Sequence, residues 1–401
     1  MQRIPDIGIS VAYEPENCSP IVDIIIIHGL QGHPYKTWAY TKVLKPPTSP
    51  APSRPEASED GKDRNKSLLR RVAPRLTKKS SEKVVLKAKT GPALAKPAKS
   101  SSGKFKSVFW PADLLPRECP NSRILVYGYD TKITKYMNCA TNKNSVFSHS
   151  KDLLFALCRE RMLDRPLIFI AHSLGGIVVK EMLARSSAST ETELKNVVDS
   201  TAAVIFLGTP HRGSPDLAAL GEWVRSVVST LRMGTTSAIL DALSLKTSDL
   251  ERAQEEFSGL WQKYGFRVKT FQEGLGLAGV NLGVLGNKVV PDYSSLIGDQ
   301  REHAETIEAN HMGMCRFSGA DDPNYHKVAG ELRSIYLSIE RLNVQKVHQS
   351  GRIQRRASMR SAASSVKILD KTNGDKLDEA EKFSSAGSHF SELGGKLSIM
   401  I

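Results

Sequence analysis

The sequence is poor in the features that would place it in several common classes. Its five cysteines (Cys18, Cys119, Cys139, Cys158 and Cys315) include no C-x-x-C pair. An odd, scattered set argues against a disulfide framework and against a structural zinc site. No stretch approaches the roughly 20 apolar residues a membrane-spanning helix requires. The longest apolar stretch near the start, Ile21–Leu30, already contains Asp23 and His28. The opening MQRIPDIGISVAYEP has no apolar core behind a basic start, so no secretory signal is expected. These absences predict an intracellular, cytoplasmic chain with no transmembrane helix.

Acidic residues are also scarce, but only in places. The formal charge is +14, and residues 42–106 alone carry 18 basic and 5 acidic side chains, a net of +13. Residues 345–401 add +4, which leaves the rest of the chain at −3. A mildly acidic folded body with two basic segments fits this distribution. A nucleic-acid-binding fold would carry its basic residues on a structured face, so nucleic acid is disfavoured as a partner.

Short apolar runs recur along the chain, each closed by Gly or a small polar residue. They are Ile24–Ile27 before His28-Gly29, Arg123–Tyr127 before Gly128, Leu167–Ile170 before Ala171-His172-Ser173, and Ala203–Leu207 before Gly208. Val268–Glu273 and Ala304–Ala309 follow. Four β-branched residues in a row suit a strand covered on both faces, as in a parallel sheet. Helical patterns lie between them at Asp152–Arg161, Gly176–Ala188, Asp216–Thr230 and Asn324–Arg341. The alternation predicts an α/β fold with a mostly parallel central sheet flanked by helices. The expected domain is 1–44 together with 106–343. Residues 45–105 are rich in Lys, Ser, Pro and Ala and almost free of aromatics, and 344–401 form a polar, basic tail. Both are expected to be disordered, because such stretches cannot bury enough apolar surface to offset chain entropy.

The strongest chemical signal is Leu167–Gly176, LIFIAHSLGG: a buried strand, a tight turn with Ser173 at its apex, then a helix. This is the form of a nucleophile elbow, in which small residues two before and two after the serine allow a sharp bend. Ala171 stands where the strict pattern has glycine, and is taken as a tolerated small residue. An oxyanion hole needs two N–H donors, one after the nucleophile and one from the loop after an earlier strand. Leu174 and Leu30, in His28-Gly29-Leu30, meet those positions through their backbone amides. A serine hydroxyl needs an adjacent base, and His311 follows the last strand candidate. His172 lies inside the elbow, His211 comes too early in the chain, and His303 precedes its strand. The orienting acid should sit after the penultimate strand. Glu273 ends Val268–Glu273, and Asp292 in VVPDYS is the alternative. No cluster of His and carboxylate suggests a metal, and no cofactor is expected.

Taken together, DIIIIHGLQGHPYKTW (Asp23–Trp38), FWPADLLP (Phe109–Pro116), RILVYGYD (Arg123–Asp130), FIAHSLGGIVVKEML (Phe169–Leu183), FLGTPHRGS (Phe206–Ser214) and ANHMGMCRF (Ala309–Phe317) resemble the α/β-hydrolase family of the serine active site containing proteins. Fungal relatives of that family resemble the hydrolase modules that precede NACHT and NB-ARC domains. The resemblance implies an α/β-hydrolase fold and a lipase-like serine ester hydrolase, with Ser173, His311 and Glu273 as triad. It also implies an ester or lipid substrate in lipid metabolism, and association with endoplasmic reticulum or mitochondrial membranes. The basic insertion departs from the family pattern.

Several readings stand side by side at this level. The same triad would serve an acyltransferase in lipid remodelling, and the scaffold could act as a catalytically silent interaction module. Val224–Gly265 contains partly apolar helical segments that could cover the pocket. The basic segments admit contact with an anionic membrane surface, while the missing aromatics count against nucleic acid. Arg355-Arg356-Ala357-Ser358 has the form of a basophilic kinase site.

Overall fold

The run Val22–Ile27 is completely buried, and successive side chains enter opposite layers. Ile25 and Ile27 join one apolar cluster, and Ile24 and Ile26 join the other. With no face left for water, the strand has no use for polar alternation, and β-branched residues pack well against the pleat. The structure, a computed structural model, describes residues 3–43, 105–130, 146–212, 247–276, 288–290, 292–349, 351–356 and 358–359. Contacts divide the chain into one unit of residues 1–40 and 107–401, and a second of residues 41–106. The expected basic insertion, apart from Phe105, and the helix expected at Asp216–Thr230 lie outside the described residues.

Among the described residues, seven strands make the main sheet: β1 (Gly8–Tyr13), β2 (Val22–Ile27), β5 (Ser122–Gly128), β6 (Leu167–His172), β7 (Thr201–Leu207), β8 (Arg267–Glu273) and β9 (His303–Ile307). Their spatial order is β1-β5-β2-β6-β7-β8-β9, with β1 antiparallel to β5 and every other pairing parallel. β3 (Ala39–Val43) and β4 (Phe105–Phe109) pair as a separate two-stranded sheet. Phe105 therefore opens a strand. The chain leaves β2 for β5 on one side and returns to β6 on the other, so the loops after β2 and β6 part at this point. Such switch points, at the carboxyl ends of parallel strands, are where open α/β sheets form their sites.

Helices cover both faces. α3 (Val146–Glu160), α4 (Gly175–Ala188) and α5 (Thr192–Asp199) pack on the layer of Ile25, Phe169 and Phe206. The short helices α1 (Trp110–Asp113) and α2 (Leu115–Glu118) lie on the opposite layer. α6 (Thr247–Tyr264) occupies the second half of the stretch expected to cover the pocket. Its Leu250, Phe257 and Trp261 are buried in the same layer as α3 and α4. That half is a sheet-flanking helix, because its apolar stripe is used up against the core. Residues 224–246 lie outside the described residues. A one-turn helix, α7 (Asp292–Ser295), follows, and α8 (residues 323–349) closes the opposite layer with Val328, Leu332 and Ile335.

α8 runs past residue 343, where the body was expected to end, and residues 351–356 are helical as well. A polar composition that reads as unstructured is also that of a helix solvated on all sides. The remainder of the expected tail lies largely outside the described residues. Among the described residues no helix is long and apolar enough to cross a membrane. One antiparallel strand at the edge, a parallel sheet with helices on both faces and a sharp turn after β6 together make the α/β-hydrolase fold.

Candidate active site

The bend after β6 is tight enough to force its residue types. Ser173 has φ +55°, a left-handed conformation that costs a non-glycine residue energy and persists only where neighbours over-determine it. Here Ser173 N–H donates to Leu207 O at 2.9 Å, and Gly176 N–H donates back to Ser173 O at 3.0 Å. The bend also drives the backbone against the loop after β2. A Cβ on Gly175 would sit 2.5 Å from His28 O, and one on Gly29 would sit 2.6 Å from the Ser173 Cβ. Both glycines are therefore needed for close backbone approach. Ala171 is fully buried between Ile27 and Phe206, its strand partners on either side.

The structure brings three of the side chains predicted from sequence into one line. Ser173 Oγ lies 3.0 Å from His311 Nε2, and His311 Nδ1 lies 3.1 Å from Glu273 Oε1. All three residues are buried. With a neutral imidazole protonated on Nδ1, the histidine donates to Glu273 and accepts from the serine O–H. Glu273 ends β8, and its carboxylate also accepts the amides of Val290 at 2.6 Å and Val289 at 3.2 Å. Two N–H donors and an imidazole N–H thus hold a buried carboxylate, which would otherwise be costly.

Asp292, the alternative acid, is not brought to the histidine. Its side chain is 64% exposed and pairs with Lys288 at 2.7 Å. The segment before it supplies Glu273 with backbone amides, and Asp292 itself opens the one-turn α7 towards solvent. Of the other histidines weighed, His303 begins β9, and His211 is buried against Phe206 with its backbone N–H donating to Ser294 O at 2.6 Å.

The loop after β2 is held by a histidine. Burial lowers His28 to a pKa of about 4, so the ring is neutral near pH 7. Its Nδ1–H donates to Gly29 O at 2.9 Å, and Nε2 accepts Tyr129 N–H at 3.4 Å. Tyr129 stacks on the imidazole with centroids 4.5 Å apart, and its hydroxyl donates to His28 O at 2.8 Å. Gly32 N–H closes the turn onto Gly29 O. A Gly29 Cβ would lie 3.2 Å from Leu174 N, so the Gly29-Leu30 backbone and the Leu174 amide converge beside the serine.

Two contributors went unread in the sequence. Tyr129 follows β5 two residues after Tyr127, an aromatic repeat at strand spacing that could have marked it. His172 donates from Nε2 to His311 O at 2.9 Å, and its ring lies 4.7 Å from the His311 ring. Burial, reinforced by the nearby His311, holds His172 well below the ordinary histidine range, so it is neutral.

Comparison with known proteins finds no matching family model. Protein SERAC1 of Homo sapiens is 30% identical over 208 residues, which cover 52% of this chain and 30% of that protein. Protein SERAC1 of Bos taurus is 26% identical over 298 residues, covering 73% of this chain and 36% of that protein. The chain thus spans about a third of the length of these curated relatives. Among solved structures, Est1E from Butyrivibrio proteoclasticus aligns at 14% identity and a TM-score of 0.37, covering 82% of this chain and 92% of that one. A monoacylglycerol lipase from Paleococcus ferrophilus aligns at 11% identity and a TM-score of 0.38, covering 82% and 98%.

Proposed function

We propose that this chain is a serine hydrolase that cleaves carboxylic esters, lipid or acyl esters among them, through an acyl-enzyme. The reading rests above all on one observation, the buried line Ser173–His311–Glu273 with links of 3.0 and 3.1 Å. In the first half-reaction His311 Nε2 takes the proton of Ser173 Oγ as that oxygen bonds to the ester carbonyl carbon. The carbonyl oxygen becomes an oxyanion facing the amides of Leu30 and Leu174. The C–O bond to the alcohol then breaks, and His311 returns its proton to the departing oxygen. Water, deprotonated by the same nitrogen, attacks the acyl-enzyme and releases the acid and Ser173.

Glu273 orients the imidazole and stabilises its positive charge. Fixed donors in a buried site stabilise the oxyanion without reorganising, and each such donor is typically worth about 10²–10³ in kcat.

The test combines a fluorophosphonate probe with a panel of soluble esters of increasing acyl length. The probe should attach to Ser173, and Ser173→Ala should lose both labelling and hydrolysis while keeping its unfolding temperature. Hydrolysis that survives in Ser173→Ala, or a wild-type serine that never reacts, would overturn the reading and favour a silent scaffold. Transfer of the acyl group to an added alcohol without free acid would make the chain an acyltransferase using the same groups.

A further inference from the structure

α8 changes character abruptly. Tyr325, Val328, Leu332, Ile335, Tyr336 and Ile339 face the core at helical spacing. From Arg341 onward, every residue whose exposure is described (341–349, 351–356, 358 and 359) is exposed. This outer part combines cations with large aliphatic side chains. Arg341, Lys346, Arg352, Arg355 and Arg356 are all basic, and the first acidic residue after Glu340 is Asp370. Leu342 is 59% exposed, Val347 67% and Ile353 62%. At 3.6 residues per turn, Arg341 and His348 share one side of residues 341–349, and Arg352, Arg355 and Arg356 share one side of residues 351–356. By the same repeat, Val344 and Val347 lie to one side of Arg341 and His348 and Leu342 to the other, and Ile353 lies beside Arg356 in the second segment.

We propose that residues 341–359 dock on an anionic lipid surface. The arginines of both segments reach lipid phosphates, while the aliphatic side chains beside them enter the boundary with the acyl chains. A protein groove would ask instead for apolar residues along the central stripe. Single-stranded nucleic acid would ask for aromatic stacking platforms, and no Phe, Tyr or Trp occurs between Tyr336 and Phe383.

The direction of α8 adds a consequence. Near its start, Lys327 donates to Thr306 O at the end of β9, and further along, Glu331 pairs with Arg267 at the beginning of β8. The helix therefore runs against the parallel strands, and its outer part begins at the sheet edge opposite the one that carries Ser173. Docking holds the body by that far edge. Lipid binding is then separable from the proposed ester hydrolysis and does not depend on it.

Sedimentation of the full chain with vesicles tests this. Vesicles of phosphatidylcholine mixed with phosphatidylserine should bind it, and phosphatidylcholine alone should bind it far less. Binding should fall steeply with salt, as screening shortens from about 10 Å at 0.1 M to about 3 Å at 1 M. Arg352→Gln/Arg355→Gln/Arg356→Gln should lower the partition by about 100-fold. Val344→Ser/Val347→Ser/Ile353→Ser should lower it while leaving the residue of binding salt-sensitive. All six positions are exposed, so the unfolding temperature and soluble-ester hydrolysis should match wild type. If the arginine variant binds like wild type, the attraction lies in the other basic segment and the proposal fails. Equal binding to neutral vesicles, or tighter binding of single-stranded RNA through the same arginines, would overturn it too.

Discussion

His172 and His311 are 139 residues apart in sequence and meet ring against ring, with His172 Nε2–H donating to the His311 carbonyl at 2.9 Å. The residue before the serine thus holds the backbone of the residue proposed to take the serine's proton. Trp38 also packs edge-on against His172, so the donor ring has little freedom. His172→Phe keeps an aromatic ring and loses the hydrogen bond, worth about 1 kcal/mol, in addition to the orientation it gives. It should lower kcat about tenfold for a soluble ester with KM unchanged. His172→Gln, which can still donate, should recover part of that loss. An unchanged kcat in the phenylalanine variant would reduce His172 to packing.

Glu273 and Asp292 predict opposite kinetic outcomes. Glu273→Gln keeps the shape and removes the charge that selects the Nδ1–H tautomer, and should lower kcat by about 10³–10⁴. Asp292→Asn removes only a solvent-facing pair with Lys288 and should leave kcat and KM as in wild type. Initial rates on one ester decide the matter, and a large loss in the Asp292 variant would count against Glu273 as the orienting acid.

The features legible in the sequence were those whose cause is local. A strand buried on both faces must be apolar throughout, so β2, β5, β6 and β7 stand out. The elbow is readable because small residues and a serine follow one another within a single turn. β1 was missed: its six residues are only partly buried, so the edge strand leaves a weak pattern. α6 shows an apolar stripe, but a stripe does not say whether it covers a core or a pocket. Nor could the donors to Glu273 be foreseen, because a backbone N–H exists at almost every residue, and only the fold brings those of Val289 and Val290 to the carboxylate.

Buried neutral histidines make the protein sensitive to mild acid. Burial takes His28 from its ordinary 6.5 to about 4, and lowers His172 and His211 well below that ordinary value. Between about pH 6.5 and pH 4 the unfolded chain binds protons at these rings that the folded chain refuses. Stability is therefore lost as pH falls through that window, by about 3 kcal/mol from His28 alone. Urea unfolding at several pH values should show this slope. Among the described residues, neither ring nitrogen of His211 has a hydrogen-bond partner. His211→Leu should accordingly flatten the slope by up to one proton, about 1.4 kcal/mol per pH unit. An unaltered slope would mean that His211 titrates as it does in the unfolded chain.

Asp23 offers a stability test remote from the chemistry. Its fully buried carboxylate takes both Arg123, at 3.0 Å, and Arg165, at 2.9 Å, near the start of β2 and thus at the sheet edge away from Ser173. Asp23→Ala leaves two guanidinium groups without their counter-charge and should cost about 3–5 kcal/mol. Urea denaturation measures that loss. The protein that remains folded should keep its KM and its fluorophosphonate labelling, and a changed KM would show that the two edges are coupled.

Gly29 separates backbone space from chemistry most directly. A methyl group there would lie 2.6 Å from the Ser173 Cβ and 2.8 Å from His172 O, both on the elbow and neither the end of a flexible chain. The β2 loop must therefore retreat, and Leu30 N–H retreats with it. Gly29→Ala should lose about 10²-fold or more in kcat, the scale of one oxyanion donor. Its overpacking should cost about 1–3 kcal/mol in stability. Fluorophosphonate labelling should slow in parallel, because the phosphonyl oxygen occupies the same space as the oxyanion. Were Gly29→Ala destabilised but fully active per folded molecule, the Leu30 amide would have no part in the reaction.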